Sequence, residues 1–191
     1  MGPNSLDPNH HTELIHDSNI DQALVALNFG SLVGNSAYDR LLISSQIPRA
    51  NNGQIKPSWM RRYQHCTQGG WWCAGLDPLN DWKSMEWGAF KPNVPAKNRD
   101  GKIIKYEHPP QLATRLFCLR VTKGIWIQTA NLFKAKLPQK IEIDIHGESI
   151  GFWQWVIDFK IPVVICEGVK KAATLLTYGY PAIALPGINS G

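Results

Sequence analysis

The sequence lacks three features that would place the protein in a membrane or outside the cell. It has no run of about 18 apolar residues, so no membrane-spanning helix is predicted. The first 39 residues contain no Lys or Arg, although secretory signals and mitochondrial presequences both need basic residues. The four cysteines are irregularly spaced, which excludes a disulfide scaffold in a chain of this size. We therefore expect a soluble, cytoplasmic protein with reduced thiols.

Positive charge is concentrated in the middle of the chain. Residues 1–39 carry five acidic residues and no basic one, whereas residues 40–140 carry 17 Lys and Arg against five acidic residues. Such a field attracts polyanions and raises their encounter rate. Eight aromatic residues between positions 59 and 106 interleave with these charges. They indicate either a surface that stacks the bases of single-stranded nucleic acid or a Trp-rich core under a solvated basic surface.

Hydrophobic spacing predicts a mostly helical start and an α/β pattern towards the end. A loose arm is expected over residues 1–16. Helices are predicted near residues 18–27 with Ser18 as the N-cap, 37–43, 58–63, 122–136, 147–159 and 169–178. Short strands and turns are predicted over 64–110, a strand over 115–121, and strands buried on both faces at 163–166 and 182–185. The last two strands and the helix between them predict a right-handed βαβ unit.

Glu167 follows a predicted strand, at the position where ligands bind in open α/β sheets. Gly168 comes next and permits a tight turn into the following helix. A carboxylate at this position suits holding a divalent cation through water or moving a proton in phosphoryl transfer, and the alternative is a simple helix cap. Lys170 and Lys171 lie in the first helical turn, where they suit phosphate contact or are ordinary surface lysines.

Several short stretches carry a resemblance to a known family. They are Ile165–Ala172, Leu175–Leu185 and Pro186–Gly191, with Gly69–Pro78, Glu86–Gly88, Lys105–Pro110 and Arg115 upstream. The first three resemble the first half of a TOPRIM domain, the catalytic fold shared by topoisomerases, bacterial primases and some nucleases. Together the stretches resemble one TOPRIM-like group, the domain of unknown function 3854 family. That group occurs in primase- or helicase-like proteins of plasmids and mobile elements.

The resemblance covers residues 60–191 and implies a site around Glu167. It implies that Glu167 is catalytic and is a ligand of Mg²⁺, together with an Asp-x-Asp motif on a later strand. No such motif follows Glu167 in this sequence, so we expect half of a metal site in a fragment, a partial gene product or a relic. A similarity to the basic region ahead of the TOPRIM fold in bacterial primases implies that Lys105 and Arg115 contact phosphates. Ordinary surface charge is the alternative for both residues.

Two further groups of residues are weighed as sites. Arg61 and Arg62 lie on the predicted turn at 58–63 and are counted with the candidate phosphate contacts. Cys66 and Cys73 are candidates for zinc, but six residues separate them, whereas zinc sites typically have about two to four. We therefore expect buried or free thiols and no structural zinc.

Together these observations predict an α/β chain in three parts. Residues 1–60 form a helical N-terminal arm, residues 61–121 a basic, Trp-rich α+β region, and residues 122–191 the start of a TOPRIM-like parallel sheet. We expect primase-like nucleic-acid processing in plasmid or mobile-element replication, with Mg²⁺-dependent phosphoryl transfer in the full-length form. Single-stranded DNA or RNA is the expected ligand, and a helicase is a candidate partner. The alternatives are a non-catalytic single-stranded nucleic-acid-binding module and a TOPRIM-type nuclease.

Overall fold

Short helices and small sheets alternate in the computed structural model, which describes residues 6–186. The helices are α1 (Pro8–His11), α2 (Gln22–Asn28), α3 (Asn35–Leu41), α4 (Pro57–Arg62), α5 (Lys123–Phe133), α6 (Phe152–Asp158) and α7 (Val169–Thr177), with a π-helix at Thr12–Asp17 and a 3-10 helix at Gln64–Gln68. The strands are β1 (Phe29–Leu32), β2 (Gly70–Asp77), β3 (Lys83–Pro92), β4 (Glu142–Ile143), β5 (Ser149–Ile150), β6 (Val164–Glu167) and β7 (Ala182–Leu185). The architecture is therefore mixed α/β.

Over residues 6–186, the strands form one antiparallel sheet, one hairpin and one parallel pair. Strand β2 is central in the first sheet, where Phe29 of β1 lies opposite Cys73 and Pro92 of β3 lies opposite Gly70. Strands β4 and β5 form the hairpin. Strands β6 and β7 are parallel and α7 connects them, so the predicted βαβ unit is confirmed. A larger TOPRIM-like sheet stays a prediction, because the parallel sheet has two strands in the described part of the chain.

The segment at 115–121 was predicted to be a strand, and that prediction is wrong. It is extended but makes only isolated bridges, from Cys118 to Leu76 of β2 and from Phe117 to Ala184 of β7. Phe117 donates its N–H to the carbonyl of Ala184 and accepts a hydrogen bond in return. The expected apolar face at Phe117, Leu119 and Val121 is buried. The segment therefore joins the antiparallel sheet to the parallel pair and belongs to neither.

Strand β6 is not buried on both faces, contrary to the expectation from its apolar sequence. Val163 and Val164 are exposed, and Ile165 is 65% exposed. Strand β7 is covered by Phe117 on the side away from β6, and its residues Ala182 and Ala184 are fully buried. Strand β6 is thus the edge of the described pair, and its aliphatic side chains face solvent.

The N-terminal segment that was predicted to be loose is helical from residue 8 to residue 17. Asp7 caps α1 by accepting a hydrogen bond from the N–H of Asn9, and Pro8 occupies the first helical position. Leu14 is fully buried in the core. The prediction failed because tertiary burial stabilises this segment, and a sequence without hydrophobic periodicity does not reveal such burial.

Most other predicted helices are confirmed with shifted ends. The helices expected near 18–27, 37–43, 58–63, 122–136 and 169–178 correspond to α2, α3, α4, α5 and α7. Asp21, rather than Ser18, caps α2 by accepting a hydrogen bond from the N–H of Leu24. The helix expected from residue 147 begins at Phe152, because residues 149–150 pair with residues 142–143 in the hairpin.

Most of the interleaved aromatic rings belong to the core. Trp71, Trp72, Trp87 and Phe90 are buried, which favours the Trp-rich core over a wide stacking platform. One hydrophobic cluster takes residues from all three predicted parts of the chain: Leu14, Phe29, Trp71, Trp87, Trp155 and Ala173. A second cluster gathers around Phe90 and contains Leu41, Tyr63 and Cys66. The part boundaries at residues 60 and 121 stay predictions.

Candidate nucleic-acid interface

Glu13 brings together three segments that are far apart in the sequence. Its Oε1 accepts hydrogen bonds from Lys91 Nζ of β3 at 2.6 Å and from Lys170 Nζ of α7 at 2.7 Å. Its Oε2 accepts a hydrogen bond from Trp71 Nε1 at 3.2 Å. The carboxylate therefore ties the N-terminal π-helix to the antiparallel sheet and to the βαβ unit. We call Glu13, Lys91 and Lys170 the Glu13 cluster.

The lysines of the Glu13 cluster keep the carboxylate ionised. Burial alone would raise the pKa of Glu13, but hydrogen bonds and charge from Lys170 and Lys91 outweigh it and leave the pKa below its usual value. One negative charge against two positive charges leaves the cluster net positive. An anion that approaches this surface therefore meets lysine ammonium groups that Glu13 holds in place.

A cavity of about 290 Å³ lies beside Glu13 and is lined by Lys91, Lys105 and polar groups. His10 is buried in its wall, with Nδ1 2.6 Å from Ser31 Oγ and Nε2 2.8 Å from Asn93 Oδ1. These bonds fix the wall, while Lys105 is exposed at the cavity. The structure thus brings Lys105 to the same surface as the Glu13 cluster, and the chemistry of this surface suits a phosphate.

Tyr106 links this cavity to the start of α7. Its ring lies edge-on to Trp71 with a centroid distance of 5.7 Å, and it lines a small space with Gly168 and Val169. Burial, and then the charge of Glu13, raises the pKa of Tyr106 to about 12, so its hydroxyl keeps its proton. The structure therefore brings together parts of two of the stretches that carry the family resemblance, Tyr106 of Lys105–Pro110 and Gly168 of Ile165–Ala172.

Glu167 occupies the position that the sequence predicts. It ends β6 opposite Leu185, and Gly168 turns the chain with a φ of 84° before α7 begins at Val169. A side chain at that positive φ would be strained, so glycine suits the turn. The Glu167 carboxylate is exposed to solvent, as is Lys171 in the first turn of α7.

Arg115 lies at the same end of the parallel pair as Glu167. The antiparallel bridge from Phe117 to Ala184 places Arg115 level with Pro186, one residue beyond the partner of Glu167. Arg115 is half-buried. A group bound at the carboxyl end of β6 and β7 is therefore flanked by Glu167, by the first turn of α7 and by Arg115.

Arg61 and Arg62 lie elsewhere, at the end of α4. The Arg62 guanidinium is 5.8 Å from the ring centroids of both Trp59 and Tyr63, whose rings stack with an interplanar angle of 4°. Tyr63 is buried in the second hydrophobic cluster. The structure therefore joins Arg62 to an aromatic stack and not to the Glu13 cluster.

A cysteine, a histidine and a glutamate meet nearby without forming a catalytic relay. His65 Nε2 lies 3.3 Å from Cys66 Sγ and 3.1 Å from Glu107 Oε1, so both partners share one ring nitrogen. A relay needs the two different nitrogens of the ring. Burial, with the charge of Glu107, also raises the pKa of Cys66 to about 12, and the thiol is fully buried. This cluster is part of the packing between the 3-10 helix Gln64–Gln68 and the segment around Glu107.

Metal ligands do not converge in the described residues. Over residues 6–186, no group of three His, Cys, Asp or Glu side chains is arranged so that it could hold a metal ion, the His65–Cys66–Glu107 contacts included. Cys66 and Cys73 belong to separate hydrophobic clusters. The described residues therefore do not fit a complete Mg²⁺ site, and Glu167 provides one carboxylate. Residues 187–191, the end of the quoted Pro186–Gly191 stretch, lie outside the described residues.

Sequence reasoning missed Glu13, Lys91 and His10. Glu13 and His10 lie in the segment that was expected to be loose, and Lys91 was one of many basic residues in the central part. The only available signal was that Glu13 is one of few acidic residues in an N-terminal segment without lysine or arginine. No sequence pattern links Glu13 to a lysine 157 residues away.

Comparisons with known proteins find a family model that matches the last part of the chain. Domain of unknown function (DUF3854) matches residues 152–191. An uncharacterized protein of Picosynechococcus sp. (strain ATCC 27264 / PCC 7002 / PR-6) is 42% identical over 185 residues, which is 95% of this chain. The chain spans 18% of the length of that relative. No solved structure matches the chain. The match to Domain of unknown function (DUF3854) therefore begins at α6, includes the βαβ unit and extends to residue 191.

Proposed function

We propose that this chain is the nucleic-acid-binding part of a primase-like, TOPRIM-type protein of plasmid or mobile-element replication. It holds single-stranded DNA or RNA by its phosphates. In the full-length protein, the βαβ unit contributes Glu167 to a Mg²⁺-dependent phosphoryl-transfer site. A helicase is the proposed partner in the same process.

The observation that carries the proposal is the convergence of three lysines from separate segments. Lys91 and Lys170 share Glu13, and Lys105 lines the adjoining cavity of about 290 Å³. Lysine ammonium groups on one surface bind a phosphate backbone without sequence preference. Tyr106 contacts Trp71 of this surface and lines a small space with Gly168, the residue that follows Glu167. This arrangement supports binding and processing at one place.

A binding module without catalysis is the second candidate, and one observation favours it. Mg²⁺ typically needs one or two carboxylates together with substrate phosphates and keeps several waters. In the described part of the chain no three metal-ligating side chains converge, and Glu167 is exposed. The catalytic proposal therefore depends on acidic residues outside residues 6–186. A TOPRIM-type nuclease is the third candidate and is separated from a primase by the product of the reaction.

Binding is tested by fluorescence anisotropy with a labelled single-stranded oligonucleotide across a series of salt concentrations. We expect weak binding that falls about tenfold between low and physiological salt, because a few lysines release counterions. Lys105→Glu should weaken binding and reduce the slope of log affinity against log salt by roughly one unit. The matched control is Lys140→Glu, which makes the same charge change at an exposed lysine that does not line the cavity.

Two outcomes contradict the proposal. Binding that is absent at low salt, or that does not change with salt, excludes phosphate recognition by this surface. Equal losses in Lys105→Glu and Lys140→Glu show that net charge alone attracts the oligonucleotide. That result would contradict the assignment of a phosphate-binding site beside Glu13.

A further inference from the structure

A second cavity of about 620 Å³ lies against the opposite face of the antiparallel sheet. Trp71 lines the cavity beside Glu13 and Trp72 lines this one, and neighbouring residues of a strand point to opposite faces. Trp72 and Met85 form an apolar part of its wall and are themselves largely buried. The volume is in the range of sites that bind small organic molecules.

Arg120 is held rigidly in the wall of this cavity. The side-chain amide of Asn28 donates to the backbone carbonyl of Arg120 and accepts from its N–H, both at 2.8 Å. The Arg120 guanidinium donates from Nε to Glu148 Oε2 at 3.1 Å and from Nη2 to Ser84 Oγ at 2.7 Å. A guanidinium has five N–H donors, so three are left after these bonds to the described residues. Its orientation is therefore fixed before a ligand arrives.

Asp144 supplies an acceptor beside this arginine. Its Oδ1 accepts the backbone N–H groups of His146 and Glu148, at 2.9 Å and 2.8 Å, and so shapes the turn of the hairpin β4–β5. Those bonds use one carboxylate oxygen, and within residues 6–186 no hydrogen bond to Oδ2 is seen. The next residue, Ile145, is 94% exposed at the cavity and gives it an apolar rim.

We propose that this cavity binds a guanine base that is turned out from single-stranded nucleic acid. Guanine presents the acceptors O6 and N7 on one edge, which suit the free donors of Arg120. It presents N–H donors on its Watson–Crick edge, which suit the carboxylate of Asp144. Adenine carries an amino donor at N6 beside the N7 acceptor, so it does not offer this pair of acceptors. Thymine and cytosine are pyrimidines and have no N7. The cavity therefore adds a preference for one base to the phosphate binding proposed for the opposite face. This inference rests on the proposed function in one respect, namely that single-stranded nucleic acid supplies the guanine.

The test compares labelled thymine oligonucleotides of equal length that contain one central guanine, one central adenine or neither. We expect the guanine probe to bind about tenfold more tightly than the other two. Asp144→Asn keeps an oxygen for the hairpin N–H groups but replaces the second oxygen with an NH₂ donor, so the guanine preference should disappear. Asp158→Asn is the control, because it removes the same charge from α6, away from the cavity lining.

A second measurement separates this inference from the proposed function. Isothermal titration with guanosine monophosphate and adenosine monophosphate tests the cavity without a polymer. Binding of the guanosine compound alone, lost in Asp144→Asn, supports the cavity even if no oligonucleotide binds. If all three probes bind with equal, salt-dependent affinity and neither mononucleotide binds, guanine binding in the cavity is contradicted. The proposed phosphate binding at the opposite face is then still supported. A guanine preference that survives in Asp144→Asn also overturns it.

Discussion

Glu13 stabilises the fold through charge as well as through position. Replacing it by Gln leaves Lys91 and Lys170 without their anion, and we expect a loss of about 1–2 kcal/mol in the free energy of unfolding. The pKa of Glu13 is lowered in the folded state, so its contribution is complete above the usual value of 4.5 and is lost as the pH falls through the lowered pKa. Urea unfolding of the wild type and Glu13→Gln should therefore differ at pH 7 and converge in acid.

The control for this prediction is Glu86→Gln, which removes a carboxylate that is exposed on β3. Its free energy of unfolding should stay within about 0.5 kcal/mol of the wild type. A difference between wild type and Glu13→Gln that stays constant from pH 7 into acid would show that packing, and not the ion pairs, is responsible.

The buried thiols predict that the purified protein contains no structural zinc. Zinc binds the thiolate form of cysteine. Burial raises the pKa of Cys66 to about 12 and raises that of Cys73 further, and the two thiols lie in different hydrophobic clusters. Elemental analysis by mass spectrometry checks this expectation. One zinc per chain, lost in Cys66→Ser, would contradict it.

Strand β6 is the element most prone to association with another chain. Its open edge carries Val164 and the 65% exposed Ile165, and such an edge pairs readily with another strand. We expect the 191-residue chain to associate at high concentration, and Ile165→Lys to reduce association with less than about 0.5 kcal/mol of change in stability. Sedimentation velocity measures the first effect and thermal unfolding the second.

The control for the edge is Ile103→Lys, which adds the same charge to an exposed isoleucine outside the β6–β7 pair. If both variants reduce association equally, net charge rather than the edge of β6 governs it. A chain that stays monomeric at all concentrations would also contradict the prediction.

Considered as a whole molecule, the chain carries the proposed phosphate-binding surface and one carboxylate, Glu167, that is proposed to be catalytic. We therefore predict that the 191-residue chain does not catalyse Mg²⁺-dependent primer synthesis or nucleic-acid cleavage. Under the proposed function, a longer form that supplies further acidic residues should do so, and the chain spans 18% of the length of the Picosynechococcus protein. In the extended form, Glu167→Gln should lower the rate by about 100-fold or more, whereas Glu86→Gln should not.

Both forms would be assayed with the same template and with a labelled single strand. Primer synthesis supports the primase-like proposal, and cleavage supports the nuclease. Activity of the 191-residue chain by itself, abolished by Glu167→Gln, would contradict the view that further acidic residues are needed. An extended form that binds but does not react favours the binding module.

The sequence by itself determined the features that depend on residues close together in the chain. The apolar run before Glu167, Gly168 and the helical spacing after it were enough to predict the strand, the turn and α7, because each forms from neighbouring residues. The family match at residues 152–191 falls on the same part of the chain. The caps of α1 and α2 also depend on neighbouring residues. For α2, however, the sequence pattern predicted Ser18 as the N-cap, whereas the structure has Asp21.

Only the tertiary structure decided which of these elements meet. Glu13 and Lys170 are 157 residues apart, and no hydrophobic period encodes a contact between them. The exposure of β6 likewise depends on the fact that Phe117 covers the edge of β7 rather than that of β6. The apolar sequence of β6 by itself predicts a buried strand. The same holds for Arg120, which lines a cavity, is bound through its backbone by Asn28 and is bound through its guanidinium by Ser84 and Glu148. Long-range contacts are set by how the whole core packs, which is why local patterns did not predict either cavity.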